Sequence, residues 1–311
     1  MMKITDVAVA ILLKPDGSFL LSSRPQGKPY PGYWEFPGGK IEAKESVRDA
    51  LVRELIEELN VTITKATPWF TFMMHYTHAT VRLHCWRVQA WQGEMRGMEG
   101  QQFAWQTLDE LNVAPTLPGC VPIFRALALP SVYAITHAGE LGTVVYLQRL
   151  EAALQNGLRL IQLREKTMPY AKLRRFGDEL MALARAYGAR VLVNSDGMLA
   201  NEINADGVHL SAAQLSTLKA RPEFALIGAS THNRAELEHA AELKCDFAVL
   251  GPVNSTRTHP GQPPMGWNAF AALTLATPLP CYALGGMTLN DLPAAIEHGA
   301  HGVAMQRGLG L

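Results

Sequence analysis

Residues 39–61 read GKIEAKESVRDALVRELIEELNV, and this stretch decides the architecture of the first half of the chain. Apolar Val47, Leu51, Leu55 and Leu59 recur every four residues, which predicts a helix over residues 46–59 with one stripe turned to a core. On that helix Glu54, Glu57 and Glu58 stand at i, i+3 and i+4, so their carboxylates share a face. Like charges at this spacing cost roughly a few tenths of a kcal/mol per pair unless something neutralises them. The face is therefore either a solvated acidic surface or a cluster aimed at a hard divalent cation, since Mg²⁺ and Mn²⁺ prefer carboxylate oxygen. Asn60 ends the helix, and asparagine follows glycine in tolerance of a left-handed cap.

Upstream of the helix, apolar runs at residues 7–13 and 19–22 flank Lys14-Pro15-Asp16-Gly17, the grammar of a β-hairpin. A loop rich in Pro, Gly and Tyr covers residues 25–37. Downstream, strands are predicted at residues 69–76, 80–89 and 103–106, and a short helix at 122–128. From residue 132 the rhythm changes. Runs at 132–136, 159–164, 190–194, 207–210, 226–229, 247–251, 281–284 and 302–305 alternate with helical patterns such as 170–187, 234–243 and 291–298. That alternation predicts a compact (β/α)₈ barrel, with an open doubly wound sheet as the alternative. Two domains are expected, residues 1–128 and 131–311.

The 311 residues balance 28 Lys and Arg against 28 Asp and Glu, so neither a nucleic-acid polymer nor an anionic membrane is an expected partner. Hydrophobic residues make up 48% and charged residues 18%, a composition that suits a large buried core and excludes intrinsic disorder. No apolar run approaches the length of about 20 residues needed to cross a bilayer, and no secretory leader is expected. Cys85, Cys120, Cys245 and Cys281 are scattered without a CxxC pair, which predicts buried, reduced thiols in a cytoplasmic protein.

The acidic helix has company. Gly39, Glu45, Arg53, Glu54, Leu55, Glu57, Glu58 and Val61 fall at the spacing of the Nudix box, with Asn60 departing from the family's glycine. The resemblance spans residues 3–128 and is strongest to the MutT branch, the 8-oxo-dGTP diphosphatases. Trp34-Glu35-Phe36-Pro37-Gly38-Gly39-Lys40 is similar to that branch's lead-in, and Met98-Glu99-Gly100-Gln101 to a later loop. The resemblance implies an α/β/α sandwich with a mixed sheet. It further implies metal ligation by Glu54, Glu57, Glu58, Glu99 and the Gly38 carbonyl, and substrate contacts from Arg24, Glu35, Phe36, Pro37 and Gly38. Arg53 would brace against Glu45. The implied reaction is hydrolysis of a nucleoside triphosphate to the monophosphate and pyrophosphate, with a clustered glutamate such as Glu54 deprotonating the water. One departure touches specificity: an ungapped alignment of residues 115–124 puts Gly119 where the branch reads the purine edge with asparagine. Trp34, Phe70, Phe72, Tyr76 and Trp86 are candidate stacking rings, core packing being the commoner role for each.

In the second half, Gln162-Leu163-Arg164-Glu165-Lys166 closes a predicted strand, where barrels place catalytic groups, and offers a pyrophosphate clamp. With Val193-Asn194-Ser195-Asp196, Ala205-Asp206-Gly207-Val208-His209, Gly251-Pro252-Val253 and Ala283-Leu284-Gly285-Gly286-Met287, it resembles thiamine phosphate synthase and the TenI thiazole tautomerase over residues 131–308. The resemblance implies a phosphate or ligand site from Gln162, Arg164, Lys166, Asn194, His232, Gly285 and Gly286, the glycines offering backbone N–H groups. Ser195 and Gln214 stand where the synthases hold Mg²⁺ with aspartates, and His259 follows Thr256-Arg257-Thr258 where they place a lysine. Neutral Ser and Gln are poor ligands of a hard cation, so synthase activity ranks last. His232 keeps tautomerase-like proton transfer open.

The expected protein is a cytoplasmic, Mg²⁺- or Mn²⁺-dependent Nudix pyrophosphohydrolase of small nucleoside triphosphates, 8-oxo-dGTP foremost, serving nucleotide-pool sanitation and DNA repair. Its barrel is expected to take a thiamine-pathway phosphate. The alternatives are a thiamine-pathway pyrophosphate hydrolase, or a Nudix enzyme whose barrel is a non-catalytic binding or oligomerisation module.

Overall fold

The computed structural model describes residues 4–77, 79–255, 263–308 and 310. Contacts divide the chain into two units, Met1–Ala128 and Leu129–Leu311.

The first unit runs β1 (Ile4–Leu12), β2 (Phe19–Ser23), β3 (Trp34–Glu35), β4 (Gly38–Lys40), α1 (Val47–Leu59), β5 (Thr62–His75), β6 (Thr80–Gln92), β7 (Phe103–Gln106) and α2 (Cys120–Leu127). A four-stranded sheet has the order β4-β1-β6-β5, and a three-stranded sheet the order β3-β2-β7. The first is mixed: β1 runs parallel to β6, and the β1–β4 and β5–β6 pairs are antiparallel. The expected β1–β2 hairpin is corrected. Gly17 (φ 85°) makes the turn, but only the Leu13–Phe19 bridge joins the two strands before they enter different sheets. Both edges of β1 are already taken, by β4 and β6, which leaves β2 to pair with β3 and β7.

β1 also explains the layering. Ala8, Ala10 and Leu12 pack with Leu51, Leu55 and Leu59 of α1, whereas Val9 and Ile11 pack with Cys120 and Ile123 of α2. Alternation along one strand thus covers both faces of the sheet with helices. Each fully buried leucine contributes about 1.5–3 kcal/mol. β5 begins seven residues before the predicted 69, because register shifts beside Lys65 and between Pro68 and Phe70 let the strand run through Pro68. β3 and β4 are two and three residues long, too short to leave a periodic signal within a Pro/Gly-rich segment.

The second unit alternates β8 (Val132–Ile135), α3 (Ala138–Leu141), α4 (Thr143–Gln155), β9 (Leu160–Leu163), α5 (Tyr170–Ala186), β10 (Arg190–Asn194), α6 (Gly197–Glu202), β11 (Gly207–Leu210), α7 (Ala212–Leu215), β12 (Leu226–Thr231), α8 (Arg234–Glu242), β13 (Phe247–Leu250), α9 (Gly266–Thr274), β14 (Cys281–Leu284), α10 (Leu292–Glu297) and β15 (Gly302–Met305). Every strand pair is parallel and β15 pairs with β8, so the sheet closes and the open-sheet alternative is excluded. Tyr133, Leu160, Leu192, Phe247 and Tyr282 fill the interior, and a larger apolar layer joins the strands to the helices. The four cysteines are free and buried. Among the described residues, no helix is long and apolar enough to cross a membrane.

Candidate functional site

In the first unit the site grows from α1. Ser46 caps it, its hydroxyl accepting from the Asp49 N–H at 3.2 Å, and Asn60 closes it in the left-handed conformation (φ 58°, ψ 34°). The buried leucine stripe fixes the rotation of the helix, so Glu54 and Glu58 lean over β4. A Cβ on Gly39 would lie 2.0 Å from the Glu54 carboxyl carbon, so glycine is what makes room for that carboxylate. The Gly38 N–H donates to Glu58 at 3.3 Å.

Arg53 organises the acids. Its guanidinium donates to both oxygens of Glu45 (2.9 and 3.0 Å), to Glu54 (2.8 Å), to Glu57 (3.3 Å) and to the Lys40 carbonyl (3.0 Å). The bond from Arg53, first among its causes, holds the Glu45 carboxyl below the usual range. Burial pushes Glu58 up to about 7, against the pull of Lys28 and the Gly38 N–H.

The loop before β7 docks on the C-terminus of α1: Met98 N–H and the Gln101 amide both donate to the Glu58 carbonyl, at 3.0 and 2.7 Å. Glu99 is thereby brought to the cluster. The Lys28 ammonium sits 2.7 Å from Glu99 and 3.6 Å from Glu58, so two carboxylates face one cation position. All the candidate donors are oxygens, and with the ammonium marking a cation position the residues fit a hard divalent ion. Among the described residues, however, no three acidic side chains close on a single point, and Glu57 is turned to Arg53 at the solvent edge. Lys28 escaped the sequence reading because a lone lysine in a Pro/Gly-rich loop carries no local signal.

The candidate substrate residues are brought together only in part. Arg24 and Glu35 form an ion pair at 2.6 Å, and burial raises the Glu35 carboxyl despite that partner. Phe36 is 5% exposed and packs against Phe19 and Phe124 at 5.6 and 5.7 Å, so it is a core ring, not an open stacking face. Pro37 is buried beside it. Trp34 and Trp86 are half-buried and Phe70 and Phe72 buried, all in the apolar clusters. Tyr76 behaves differently. Its hydroxyl is 2.8 Å from where a Cβ on Gly119 would stand, and the Gly119 backbone is among its hydrogen-bond partners. Tyr76 thus fills the space that an asparagine at position 119 would need.

In the second unit a cavity of about 890 Å³ opens where the strands end. Gln162, Arg164, Lys166, Asn194, His232, Gly285 and Gly286 all line it, as do Ser195 and Ser230. Gly285 (φ 112°) and Gly286 (φ 64°) adopt backbone conformations that suit glycine, and a Cβ on Gly285 would meet Pro252 at 2.8 Å. His209, between Tyr133 (3.2 Å) and Ser230 (2.9 Å), is held neutral by burial, its pKa lowered to about 3. His232 is tied to Glu236 at 2.9 Å. Gln214 completes the capping box that Ser211 opens at α7 and donates its amide to the Ser195 carbonyl at 2.6 Å. Arg307, absent from the sequence expectations, also lines the cavity and pairs with Glu140. The end of the last strand is where barrel logic would have looked for it. Thr256, Arg257, Thr258 and His259 lie outside the described residues.

An arginine-braced carboxylate cluster on a mixed-sheet unit, in one chain with a closed parallel barrel whose mouth carries arginine and lysine, defines a two-unit α/β protein. Residues 132–309, more than half of the chain, match the thiamine monophosphate synthase (TMP-TENI) family, and residues 3–127 match the NUDIX domain. The chain belongs to the thiamine monophosphate synthase family through its second unit and carries a NUDIX domain in its first. It is 37% identical over 166 residues to a thiamine-phosphate synthase of Thermus thermophilus, covering 52% of this chain and 80% of that protein. It is 36% identical over 202 residues to the enzyme of Thermosynechococcus vestitus, covering 64% of this chain and spanning 56% of that relative's length. Among solved structures, a MutT chain from work on the Aliivibrio salmonicida and Vibrio cholerae proteins is 31% identical, with coverage of 40% and 97% and a TM-score of 0.35. Thiamine phosphate pyrophosphorylase of Pyrococcus furiosus is 24% identical, with coverage of 57% and 85% and a TM-score of 0.48.

Proposed function

We propose that the NUDIX unit is a Mg²⁺- or Mn²⁺-dependent pyrophosphohydrolase of nucleoside triphosphates, with 8-oxo-dGTP the preferred substrate. The observation that carries this is the convergence of Gly39, Glu45, Arg53 and Glu54 on one point, where glycine admits the Glu54 carboxylate and arginine pins it. Glu54, Glu57, Glu58, Glu99 and the Gly38 carbonyl would hold the ion. The bound ion supplies charge neutralisation at the phosphate oxygens and a more acidic water. Glu54, oriented by Arg53 at 2.8 Å, would take the proton from the attacking water. The water oxygen bonds to phosphorus, one P–O–P bridge breaks, and the nucleoside monophosphate and pyrophosphate leave. Arg24 and Glu35 supply donor and acceptor groups for the base. Such an enzyme would work in a reducing cytoplasm, consistent with four buried free thiols.

The barrel on the same chain favours one second reading, a hydrolase of a thiamine-pathway pyrophosphate. Steady-state kcat/KM for 8-oxo-dGTP, dGTP and thiamine pyrophosphate, each with Mg²⁺ and with Mn²⁺, separates the two. An advantage of at least about tenfold for 8-oxo-dGTP over dGTP, or about 1.4 kcal/mol, is expected. Equal values end the sanitation role, and a preference for thiamine pyrophosphate establishes the second reading.

A further inference from the structure

The cavity at the barrel mouth is lined by Arg164, Lys166 and Arg307 and by no aspartate or glutamate among the described residues. Nearby acids are already engaged. Glu165 accepts from the Ala138 and Gly139 N–H groups at 2.6 and 2.9 Å, which fastens the loop after β8. Glu236 holds His232 through its backbone N–H (2.7 Å) and its ring (2.9 Å). Asp196 caps α6, and Asp291 accepts from Thr288. Residues 256–262, TRTHPGQ, contain no acid in their sequence. The wall beside β10 is closed by a neutral contact, the Gln214 amide donating to the Ser195 carbonyl. Protein sites for Mg²⁺ usually supply one or two carboxylates, and among its described lining residues this cavity offers guanidinium, ammonium, amide and hydroxyl groups and glycine N–H groups but no carboxylate.

Arg307 occupies a particular place in that set. It follows β15, Glu140 lies in α3 after β8, and β15 pairs with β8, so the Arg307–Glu140 ion pair joins the loops on either side of the barrel seam. A bidentate carboxylate contact keeps an arginine in one orientation at modest entropic cost.

We propose that the barrel cavity binds a phosphate monoester directly, with no divalent cation, and that Arg307, positioned by Glu140, is the third cationic contact beside Arg164 and Lys166. The ligand's charge is met by side chains of the chain itself. The proposal goes beyond the hydrolase reading and stands apart from it, because a monoester has no anhydride bond for the NUDIX unit to cleave.

The test is isothermal titration of the full chain with thiamine monophosphate and with inorganic phosphate, once in EDTA and once in Mg²⁺. Thiamine monophosphate is expected to bind with Kd values equal within about twofold in the two buffers. Lys166→Met and Arg307→Met are each expected to weaken binding at least about tenfold. Glu140→Gln, which frees Arg307 without removing it, is expected to weaken binding less than Arg307→Met. Added to the Arg307→Met background it should do nothing further, a dependence that a merely structural role for Glu140 would not produce. Each variant must melt cooperatively near the wild-type Tm; if Arg307→Met does not, Arg307→Gln replaces it. Binding that requires Mg²⁺, binding indifferent to both cation substitutions, or the absence of heat with either probe would each overturn the proposal.

Discussion

Arg53 and Glu45, eight residues apart, are joined by two parallel hydrogen bonds, 2.9 Å from Nε to Oε1 and 3.0 Å from Nη2 to Oε2. The fork ties the loop before α1 to the helix, and the remaining guanidinium nitrogen aims Glu54 and Glu57. Lysine keeps the charge but cannot fork. Arg53→Lys is therefore expected to lower kcat/KM for the hydrolysed triphosphate about 10- to 100-fold. The pair is solvent-screened, so its contribution to stability is small and the Tm should move by only a few degrees. Parallel kinetic and melting measurements check this; a large Tm loss with intact kcat/KM would make Arg53 a structural residue only.

Adjacent glycines should fail in different ways. At Gly39 an added Cβ meets the movable end of Glu54, so Gly39→Ala should fold normally and lose most activity as that carboxylate is pushed aside. At Gly38 the backbone has φ 143° and the Cβ would lie 2.1 Å from the Ala8 carbonyl oxygen. Gly38→Ala should therefore cost about 2 kcal/mol or more of stability. Denaturant melts of the two variants, read beside their activity, check the contrast.

Glu58 makes stability depend on pH in metal-free protein. Its folded pKa of about 7 lies above the ordinary carboxylate value, mainly through burial, so between the two values the native state holds a proton that the unfolded state has released. Stability from this group is complete at low pH and is lost as pH rises toward 7 and beyond, by an amount on the order of 1–3 kcal/mol. In EDTA, wild-type ΔG of unfolding of the first unit should fall across this window, and Glu58→Gln should flatten the fall. An unchanged slope in the variant would assign the effect to other groups.

Much of this was legible in the sequence, for identifiable reasons. The four-residue apolar repeat and the Asn60 terminus are local signals, and α1 (Val47–Leu59) starts one residue after the expected 46 and stops at the expected 59. Barrel strands such as β11 and β14 are short apolar runs between turn residues, and their bounds match the expected ones to the residue. What escaped depends on contacts distant in sequence. Lys28 meets Glu99 across 71 residues, and Arg307 meets Glu140 across 167. The divergence of β1 and β2 into separate sheets depends on which strand captures each edge of β1, which hairpin grammar does not encode.

Position 119 shows how a distant contact bears on specificity. Tyr76 fills the room a side chain would need there, so Gly119→Asn alone should strain the α2 N-terminus and lower the Tm. Combined with Tyr76→Ala, which vacates that room, the asparagine should be accommodated and should raise the 8-oxo-dGTP over dGTP preference by roughly 1–3 kcal/mol in kcat/KM. If the double variant gains stability over Gly119→Asn but no preference, position 119 does not face the base.

In the proposed reaction the carboxylates of α1 act on a phosphoanhydride through a divalent cation. Glu57 tests it most directly, because its side chain is 55% exposed and its loss should leave the fold intact. Product analysis of 8-oxo-dGTP hydrolysis by wild type and Glu57→Gln, with Mg²⁺ and with EDTA, is the decisive measurement. The expected result is 8-oxo-dGMP and pyrophosphate from wild type with Mg²⁺, nothing in EDTA, and a kcat at least about 100-fold lower in the variant at unchanged Tm. Full turnover by Glu57→Gln, turnover in EDTA, or release of orthophosphate in place of pyrophosphate would contradict it.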